Sequence, residues 1–337
     1  MKFDKNVLDI DCNEESNRLA HFIRNCVFED YKKRGIIIGV SGGIDSAVTA
    51  ALAVKAVGKE RVQGLMLPEK ESNPLSTSYA NLLISNLGIR KEIIDLTSIL
   101  ESFDVYQKRE LIVKKYFTDF GDNWQFRLVM PQNLLEKDRF NIAYLQVKNP
   151  EGYVSAKRLS AEDYLEMVAT TDIKQRVRMI MLYYYAEMHN YVVIGTTNKS
   201  ELQQGFFVKY GDGGVDIEPI THLYKTQVFQ LAKYLEIPEE IINRTPSPDT
   251  YSFEVSDKDF YFCLPYDVLD LLLYAREKKI PLHDLQMALK LDAQQIERAF
   301  RDIESKQRVT AHLRQLPKTL GESPPMFMYE RGSHEKV

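Results

Sequence analysis

Residues 39–50 read GVSGGIDSAVTA and join a predicted buried strand to a predicted helix. Three isoleucines precede the stretch, and small residues at helical spacing follow it. A glycine turn at such a junction points backbone N–H groups outward, and the helix N-terminus adds a partial positive charge. The stretch therefore predicts a cradle for phosphate, with a tight turn that binds no ligand as the alternative. The residues that would bind the phosphate are Ser41, Gly42, Gly43 and Ser46.

One carboxylate distinguishes this stretch from the common P-loop. The stretch lacks the Gly-Lys-Ser/Thr ending of that loop and carries Asp45 instead. A carboxylate next to a bound phosphate repels it unless a cation lies between them. Mg²⁺ is the expected cation, because it binds one or two carboxylates together with nucleotide phosphates. The sequence thus predicts Mg²⁺ between Asp45 and a pyrophosphate group.

The segments on both sides of the loop alternate between strand and helix patterns. A helix pattern over 13–33 leads into a strand at 35–40. The next predicted elements are helix 46–58, strand 62–67, helix 76–87 and strand 91–96. A long helix over 172–190 and a buried strand over 191–197 follow further along the chain. This order predicts an α/β fold with a doubly wound parallel sheet of the Rossmann-like type.

The chain is interpreted as one domain with an insertion and a tail. Residues 1–310 form the α/β domain, whose C-terminal part is predicted to be helical. Its helices are expected over 224–235, 264–278, 282–289 and 292–304. Residues 101–170 are an atypical insertion, because their charges and aromatic rings follow no clear period and fit a hairpin or an irregular segment. Residues 311–337 are a C-terminal tail with three prolines.

Composition excludes several classes of protein. The chain has 337 residues and a formal net charge of −4, so no overall basic field points to nucleic acid. Its three cysteines form no CxxC pair, which argues against a zinc site and a disulfide framework. No apolar run approaches the ~20 residues that span a bilayer, and the N-terminus carries no apolar signal segment. We expect a cytoplasmic protein without a membrane partner.

A second group of polar residues lies in 192–225, VVIGTTNKSELQQGFFVKYGDGGVDIEPITHLYK, again after a buried strand. Parallel sheets bind their ligands at this end of the strands. Glu201 could supply a second carboxylate to the metal, and the GDGG turn exposes Asp212. Lys209 and Lys225 can neutralise phosphate charge. The group as a whole comprises Thr196, Glu201, Lys209, Asp212, Asp216 and Lys225.

Two motifs carry a resemblance to known enzymes. SGGIDS resembles the pyrophosphate-binding loop of the ATP pyrophosphatase (PP-loop) superfamily, whose fold is of the adenine nucleotide alpha hydrolase type. Residues 192–249 resemble the NAD synthetase family of the ammonia-dependent type nearly end to end, through GT-x-NKSE, KYGDGG-x-D and LYKTQV. The helix DIKQRVRM at 172–179 is similar to the family's Asn-Ile-Lys-Ala-Arg-x-Arg-Met.

The resemblance implies an ATP-dependent amide-forming ligase. MgATP would adenylate the carboxylate of nicotinic acid adenine dinucleotide, and ammonia would then displace AMP to give NAD. The implied ATP contacts are Ser41, Gly42, Gly43, Asp45, Ser46, Thr196, Asp212, Lys225 and Ser247. The implied metal ligands are Asp45 and Glu201, and the implied catalytic residues are Asp45, Asp212 and Lys225. The implied contacts of the carboxylate substrate are Asp172, Lys174, Lys209 and Asp216.

The resemblance also implies partners. The family forms homodimers with the acceptor site at the interface, so we expect a homodimer. None of the three cysteines has the surroundings of a glutaminase nucleophile. The expected nitrogen source is therefore free ammonia, or ammonia from a partner glutaminase.

Some residues depart from the family's pattern and leave other functions open. Asp172 replaces an asparagine, Gln175 replaces an alanine, and the segment EVSDKD at 254–259 lacks the family's glutamine. An ionised aspartate only accepts hydrogen bonds, so the acceptor could differ. The alternatives are amidation of another carboxylate, on a nucleotide-linked sugar or a specialised metabolite, a tRNA-modifying ATP pyrophosphatase, and a nucleotide-binding protein without catalysis.

Overall fold

The computed structural model describes residues 3–137, 142–318 and 320. Its strands are β1 (Ile36–Gly39), β2 (Val62–Met66), β3 (Arg90–Ile93), β4 (Gln125–Val129), β5 (Tyr144–Lys148), β6 (Val154–Arg158) and β7 (Val192–Ile194). Four of these strands form a parallel sheet in the order β3-β2-β1-β7. The chain leaves β1 toward β2 and later returns to its other side as β7. The gap between β1 and β7 is therefore a switch point, where such sheets bind ligands.

Helices cover both faces of this sheet. The first six are α1 (Cys12–Asn25), α2 (Ile44–Val57), α3 (Pro74–Leu87), α4 (Thr97–Ser102), α5 (Val105–Tyr116) and α6 (Ala161–His189). The others are α7 (Lys199–Gln204), α8 (Lys225–Tyr234), α9 (Glu239–Ile242), α10 (Tyr266–Lys278), α11 (Leu282–Leu289) and α12 (Ala293–Val309). The helical C-terminal part is thereby confirmed. No helix of the described part of the chain is long and apolar enough to cross a membrane, and the cytoplasmic location stays a prediction.

The alternation of side chains along β1 explains the two layers. Ile36 and Ile38 pack into one buried cluster with residues of α1, α2, α3 and α8. Ile37 points to the opposite face and packs with residues of α4, α5 and α6. All three isoleucines have no exposed surface, as expected of a strand covered on both faces. The prediction of a doubly wound parallel sheet is confirmed.

The region from 101 to 170 is more ordered than the sequence indicated. It contains the end of α4, all of α5, an antiparallel sheet in the order β4-β5-β6, and the first turns of α6. The long helix predicted over 172–190 begins at Ala161 instead. Its N-cap is Ser160, whose side chain accepts a hydrogen bond from the N–H of Asp163. This serine followed three residues later by an aspartate was a start signal in the sequence.

The predicted tail falls partly outside the described residues. Residues 311–314 form one turn of 3₁₀ helix after α12. Arg314 donates a hydrogen bond to the carbonyl of Leu202 at 3.0 Å, so this turn packs beside α7. Residues 319 and 321–337 lie outside the description, and with them most of the segment predicted as a tail.

Candidate active site

The predicted phosphate loop closes the carboxyl end of β1. Gly43 is the N-cap residue of α2, so the first turn of that helix faces the loop. The hydroxyl of Ser46 donates to the carbonyl of Gly43 at 2.9 Å, and its oxygen lies 3.1 Å from that of Ser41. The N–H of Gly43 in turn donates to the oxygen of Ser41 at 3.2 Å. The loop thus collects hydroxyls and N–H groups at a helix N-terminus, as anion binding requires.

Glycine at position 42 is required for two separate reasons. Its φ is +75°, and a β-carbon there would lie 2.4 Å from the carbonyl oxygen of Ser76 in α3. Arg244 holds the same contact together, because it donates to the carbonyl of Gly42 and to the hydroxyl of Ser76. The close packing of α3 against Gly42 therefore helps to define the shape of the phosphate loop.

A Gly42→Ala variant is expected to lose roughly 3 kcal/mol of unfolding free energy, because backbone strain and overlap with Ser76 add. Gly152→Ala is the matched control: its φ is +90°, yet no atom lies within 4 Å of the added β-carbon. The Gly152→Ala variant should lose only the unfolding free energy that a positive φ costs an alanine, about 1 to 2 kcal/mol. Chemical denaturation of both variants measures the difference, and equal losses would contradict a steric role for Ser76.

One lysine joins the two predicted metal carboxylates. The ammonium of Lys225, at the start of α8, donates to Asp45 in the first turn of α2. It also lies 3.3 Å from Oε1 of Glu201 in α7. The second oxygen of Asp45 accepts a hydrogen bond from the amide of Asn198 at 3.0 Å. Three residues that are up to 180 positions apart thus meet at the switch point between β1 and β7.

Burial shifts the pKa values of the charged groups in this cluster. Lys225 is only 1% exposed. Burial works to lower its pKa, but the carboxylates of Asp45 and Glu201 outweigh burial and raise the pKa above its usual value. Burial raises the pKa of Glu201 to about 8, against the attraction of Lys225. Asp257, whose carboxylate accepts from the hydroxyl of Tyr266 at 2.9 Å, is a further buried acid whose pKa burial raises. The cluster therefore favours an additional positive charge.

A buried network holds the start of α8 in place. Asp270 in α10 accepts hydrogen bonds from the hydroxyl of Ser200 and from the N–H of Thr226, at 2.5 and 2.8 Å. The oxygen of Ser200 accepts in turn from the N–H of Lys225 at 3.1 Å. Asp270 and Ser200 are fully buried. The backbone that carries Lys225 is thus positioned by partners from two other helices.

Glu218 is an acid of the site that the sequence interpretation missed. Its carboxylate accepts hydrogen bonds from the N–H and the hydroxyl of Thr197, at 3.2 and 3.1 Å. A β-carbon at Gly195 would lie 2.5 Å from the carboxyl carbon of Glu218, so glycine is needed there. Burial raises the pKa of Glu218 to about 8. The sequence did contain a signal for this residue, because Glu218 lies two positions after Asp216 in the segment that resembles the NAD synthetase family.

Other predicted residues lie apart from the Lys225 cluster. Lys209 donates to the carbonyls of His312 and Gln315, at 3.1 and 2.8 Å. Asp216 accepts from the hydroxyl of Tyr183 and from the N–H of Val193, and so ties its segment to β7. These contacts are structural in the conformation described.

The remaining predicted contacts are distributed along α6 and the loops. Asp212 is exposed and accepts from the N–H of Val208 at 2.8 Å. Burial raises the pKa of Asp172, which lies 3.9 Å from Arg176. Thr196 follows Gly195 and is half-buried.

Lys174 is fully buried beneath the surface rather than exposed to a ligand. Its ammonium donates to Glu69 and Glu71 at 2.8 and 2.6 Å and to the carbonyl of Thr250 at 3.1 Å. Glu71 and Thr250 also line a cavity, so Lys174 supports its floor.

This cavity has a volume of about 520 Å³. It is lined by Lys70, Glu71, Ser72, Asn73, Pro74, Gln125, Lys148, Ser247 and residues 249–255. Ser247, one of the predicted ATP contacts, is therefore part of its wall. The N–H of Asn73 donates to Asp249 at 3.0 Å, and Asn73 is the N-cap of α3. Because α3 also contacts Gly42, the cavity lies next to the phosphate loop.

The carboxylates of Asp45 and Glu201 fit a magnesium ion only if a bound ligand supplies further oxygen atoms. The described part of the chain contains no group of three or more acidic, cysteine or histidine residues that could hold a metal by itself. Asp45 and Glu201 share one ammonium, and Mg²⁺ commonly takes one or two carboxylates plus substrate phosphates. The donor set therefore fits a metal that arrives with a nucleotide.

A doubly wound sheet with a phosphate loop after β1 and a lysine-bridged carboxylate pair defines a nucleotide-binding α/β enzyme of the PP-loop type. The sequence profile of the NAD synthase family matches residues 15–146 and 128–317. The chain belongs to this family.

Similar proteins agree with this assignment. The NH(3)-dependent NAD(+) synthetase of Mesorhizobium japonicum is 40% identical over 92% of this chain and 97% of its own length. That of Rhizobium meliloti is 40% identical over 92% of both. Among solved structures, the NMN synthetase from Francisella tularensis has a TM-score of 0.64 and 27% identity, over 93% and 99% of the two chains. The NH3-dependent NAD synthetase from Campylobacter jejuni has a TM-score of 0.61 and 25% identity, over 93% and 100%.

Proposed function

We propose that the chain forms NAD from nicotinic acid adenine dinucleotide, ammonia and MgATP, with release of AMP and pyrophosphate. The observation that carries the proposal is the contact of Lys225 with Asp45 and Glu201, next to the phosphate loop. Relatives named as NH(3)-dependent NAD(+) synthetases, at 40% identity over nearly their whole length, support the choice of substrates.

The chemistry requires positioning and charge neutralisation more than a protein nucleophile. A carboxylate oxygen of the substrate attacks the α-phosphorus of ATP, and pyrophosphate leaves. Ammonia then attacks the carbonyl carbon of the acyl-adenylate, and AMP leaves. Ser41, Gly43 and Ser46 hold the pyrophosphate, and Lys225 stabilises the negative charge that develops at phosphorus. Glu218, with a pKa of about 8, can hold or release a proton near neutral pH.

Magnesium would be held by Asp45 and Glu201 together with phosphate oxygens of ATP. When bound, the ion neutralises phosphate charge and favours departure of pyrophosphate. Glu201 has to lose its proton to act as a ligand, and a nearby divalent cation lowers the pKa of such a group.

Product analysis by mass spectrometry tests the proposal. The purified chain is given MgATP, ammonium and nicotinic acid adenine dinucleotide, and equal amounts of NAD and AMP are expected. Glutamine in place of ammonium should give no NAD without a partner glutaminase. Nicotinic acid mononucleotide is the second acceptor to assay, because the Francisella structure is named an NMN synthetase. If the folded chain converts only the mononucleotide, the mononucleotide replaces the dinucleotide as the proposed substrate. If it converts neither, the proposal is overturned.

A homodimer is part of the proposed function, and α6 carries a surface that suits it. Ile180, Tyr184 and Met188 repeat every fourth residue, so they lie on one side of the helix, and each is more than half exposed. Asp172 and Arg176 continue the same spacing toward the N-terminus of α6. The implied acceptor contact Asp172 would thus lie beside the interface.

A Tyr184→Glu variant is expected to convert a dimer into a monomer, because a carboxylate in the centre of an apolar interface loses its hydration. Light scattering after size-exclusion chromatography measures the mass. Met287→Glu on α11 is the control, since Met287 is also exposed but lies on another helix. A wild-type monomer, or a dimer that both variants leave intact, would rule out this face.

A further inference from the structure

The segment that walls the cavity is attached to the edge of the antiparallel sheet. The N–H of Phe253 donates to the carbonyl of Phe126 in β4 at 3.1 Å. The N–H of Phe126 donates in turn to the hydroxyl of Ser252 at 3.1 Å. Residues 250–254 thus run beside β4 and extend the sheet by a short, irregular strip.

Three side chains from the region 101–170 fix alternate carbonyls of this strip. Arg109 in α5 donates to the carbonyl of Thr250 at 2.9 Å. Gln125 in β4 donates to that of Ser252 at 2.8 Å, and Arg127 in β4 donates to that of Glu254 at 2.5 Å. We call these donors the clamp: Arg109, Gln125 and Arg127. The carbonyl of Thr250 belongs to a buried residue and needs such a partner, whereas Glu254 is exposed. Together the three donors fix the path of the cavity wall.

The same sheet also contributes two side chains to the cavity itself, Gln125 and Lys148. Lys148 pairs with Gln125 across β4 and β5, so both lie on the polar face of the sheet. Its ammonium lies 5.5 Å from the centre of the Phe253 ring, and Arg127 lies 3.9 Å from the same ring. Within the described part of the chain, the ammonium of Lys148 contacts this ring and forms no hydrogen bond or ion pair. Lys148 is a half-buried residue that lines the cavity, and its three N–H donors are available to a ligand bound there.

We propose that the clamp shapes the adenosine end of the ATP site and that Lys148 is a specificity-determining contact of that end. The choice of ATP rests on the proposed function. The phosphate end of ATP belongs at Ser41 to Ser46, and the cavity is the adjoining space across the start of α3. Adenine presents ring nitrogens and the ribose presents hydroxyl oxygens, all of which accept hydrogen bonds from an ammonium.

Direct binding tests the contact without turnover. Isothermal titration calorimetry on the full chain uses α,β-methylene-ATP, which cannot be cleaved between the α and β phosphates. A Lys148→Ala variant is expected to bind it about tenfold more weakly, which corresponds to about 1.4 kcal/mol. Lys157→Ala is the control: Lys157 lies in β6 of the same sheet and over the ring of Phe117, but it donates to the carbonyl of Tyr116 and does not line the cavity. Equal affinities of the two variants would overturn the proposal.

Tripolyphosphate distinguishes the two ends of the nucleotide. It should bind to Lys148→Ala as it binds to the wild type, because the contact is to adenosine. An equal loss for tripolyphosphate would place Lys148 at the phosphates and overturn the proposal. Failure of the proposed function can be distinguished from failure of the Lys148 contact. If the proposed function is wrong, the wild type makes no NAD, yet weaker nucleotide binding by Lys148→Ala would still support the contact.

The clamp is tested by separating KM from kcat. An Arg127→Ala variant is expected to raise KM for ATP about fivefold, with kcat and the KM for the carboxylate substrate unchanged. Arg127→Lys retains one donor for the carbonyl of Glu254 and should restore part of the affinity. A change of all parameters together, in parallel with a lower melting temperature and without rescue by lysine, would reduce Arg127 to a purely structural residue and overturn its positioning role.

Discussion

Replacement of Asp45 with asparagine is expected to lower kcat/KM for NAD formation by about 10³-fold. Both carboxylate oxygens of Asp45 accept hydrogen bonds, one from Asn198 and one from Lys225. An asparagine must turn its NH₂ group toward one of these two donors, so it loses an acceptor and repels a neighbour. The change also removes the charge that compensates Lys225 and that would bind magnesium. Steady-state rates of NAD and AMP formation measure the effect.

Asp267→Asn is the control for this variant. Asp267 is an exposed carboxylate in the first turn of α10, and the same substitution there should leave the rate within twofold of the wild type. Circular dichroism and the melting temperature show whether Asp45→Asn stays folded. A folded Asp45→Asn variant with at least a tenth of the wild-type kcat/KM would contradict the proposed role of Asp45.

The phosphate loop could be predicted from sequence because its information is local. The turn, the helix start and Asp45 lie within one short stretch, and the preceding isoleucines identify the strand. The pairing of Asp45 with Lys225 is different, since it depends on β7 returning beside β1. The resemblance named both residues, but only the fold brings their side chains into contact.

Where the prediction was incomplete, the missing information lay in tertiary neighbours. Lys209 was interpreted from its charge and from the family resemblance as a phosphate or substrate contact, yet its partners in the fold are the carbonyls of His312 and Gln315. β6 is exposed along its whole length and carries no alternating pattern, so the antiparallel sheet produced a weak signal. The start of α6 was missed because the cap at Ser160 was overlooked, although the sequence contained it.

Replacement of Lys225 with methionine is expected to lower the unfolding free energy by about 3 to 5 kcal/mol at pH 8. Methionine keeps the length of the side chain but removes the ammonium that compensates the carboxylates of Asp45 and Glu201. Two acids whose pKa values burial already raises, Glu201 and Asp257, would lose their nearest positive partner. Urea denaturation in the presence of EDTA measures the loss without interference from bound metal.

The loss should shrink as the pH falls. A group whose folded pKa lies above its unfolded value stabilises the fold below the unfolded pKa, about 4.3 for a glutamate, and loses this contribution as the pH rises through the folded value. For Glu201 this contribution is lost as the pH rises through its folded pKa, which is about 8 in the wild type and higher in the Lys225→Met variant. The difference between wild type and variant is therefore expected to be smaller at about pH 5.5 than at pH 8. Adding Glu201→Gln to Lys225→Met should recover part of the stability at pH 8, because a neutral amide needs no cation. A loss that is independent of pH and unaffected by the second substitution would show that Lys225 stabilises the fold by packing rather than by charge.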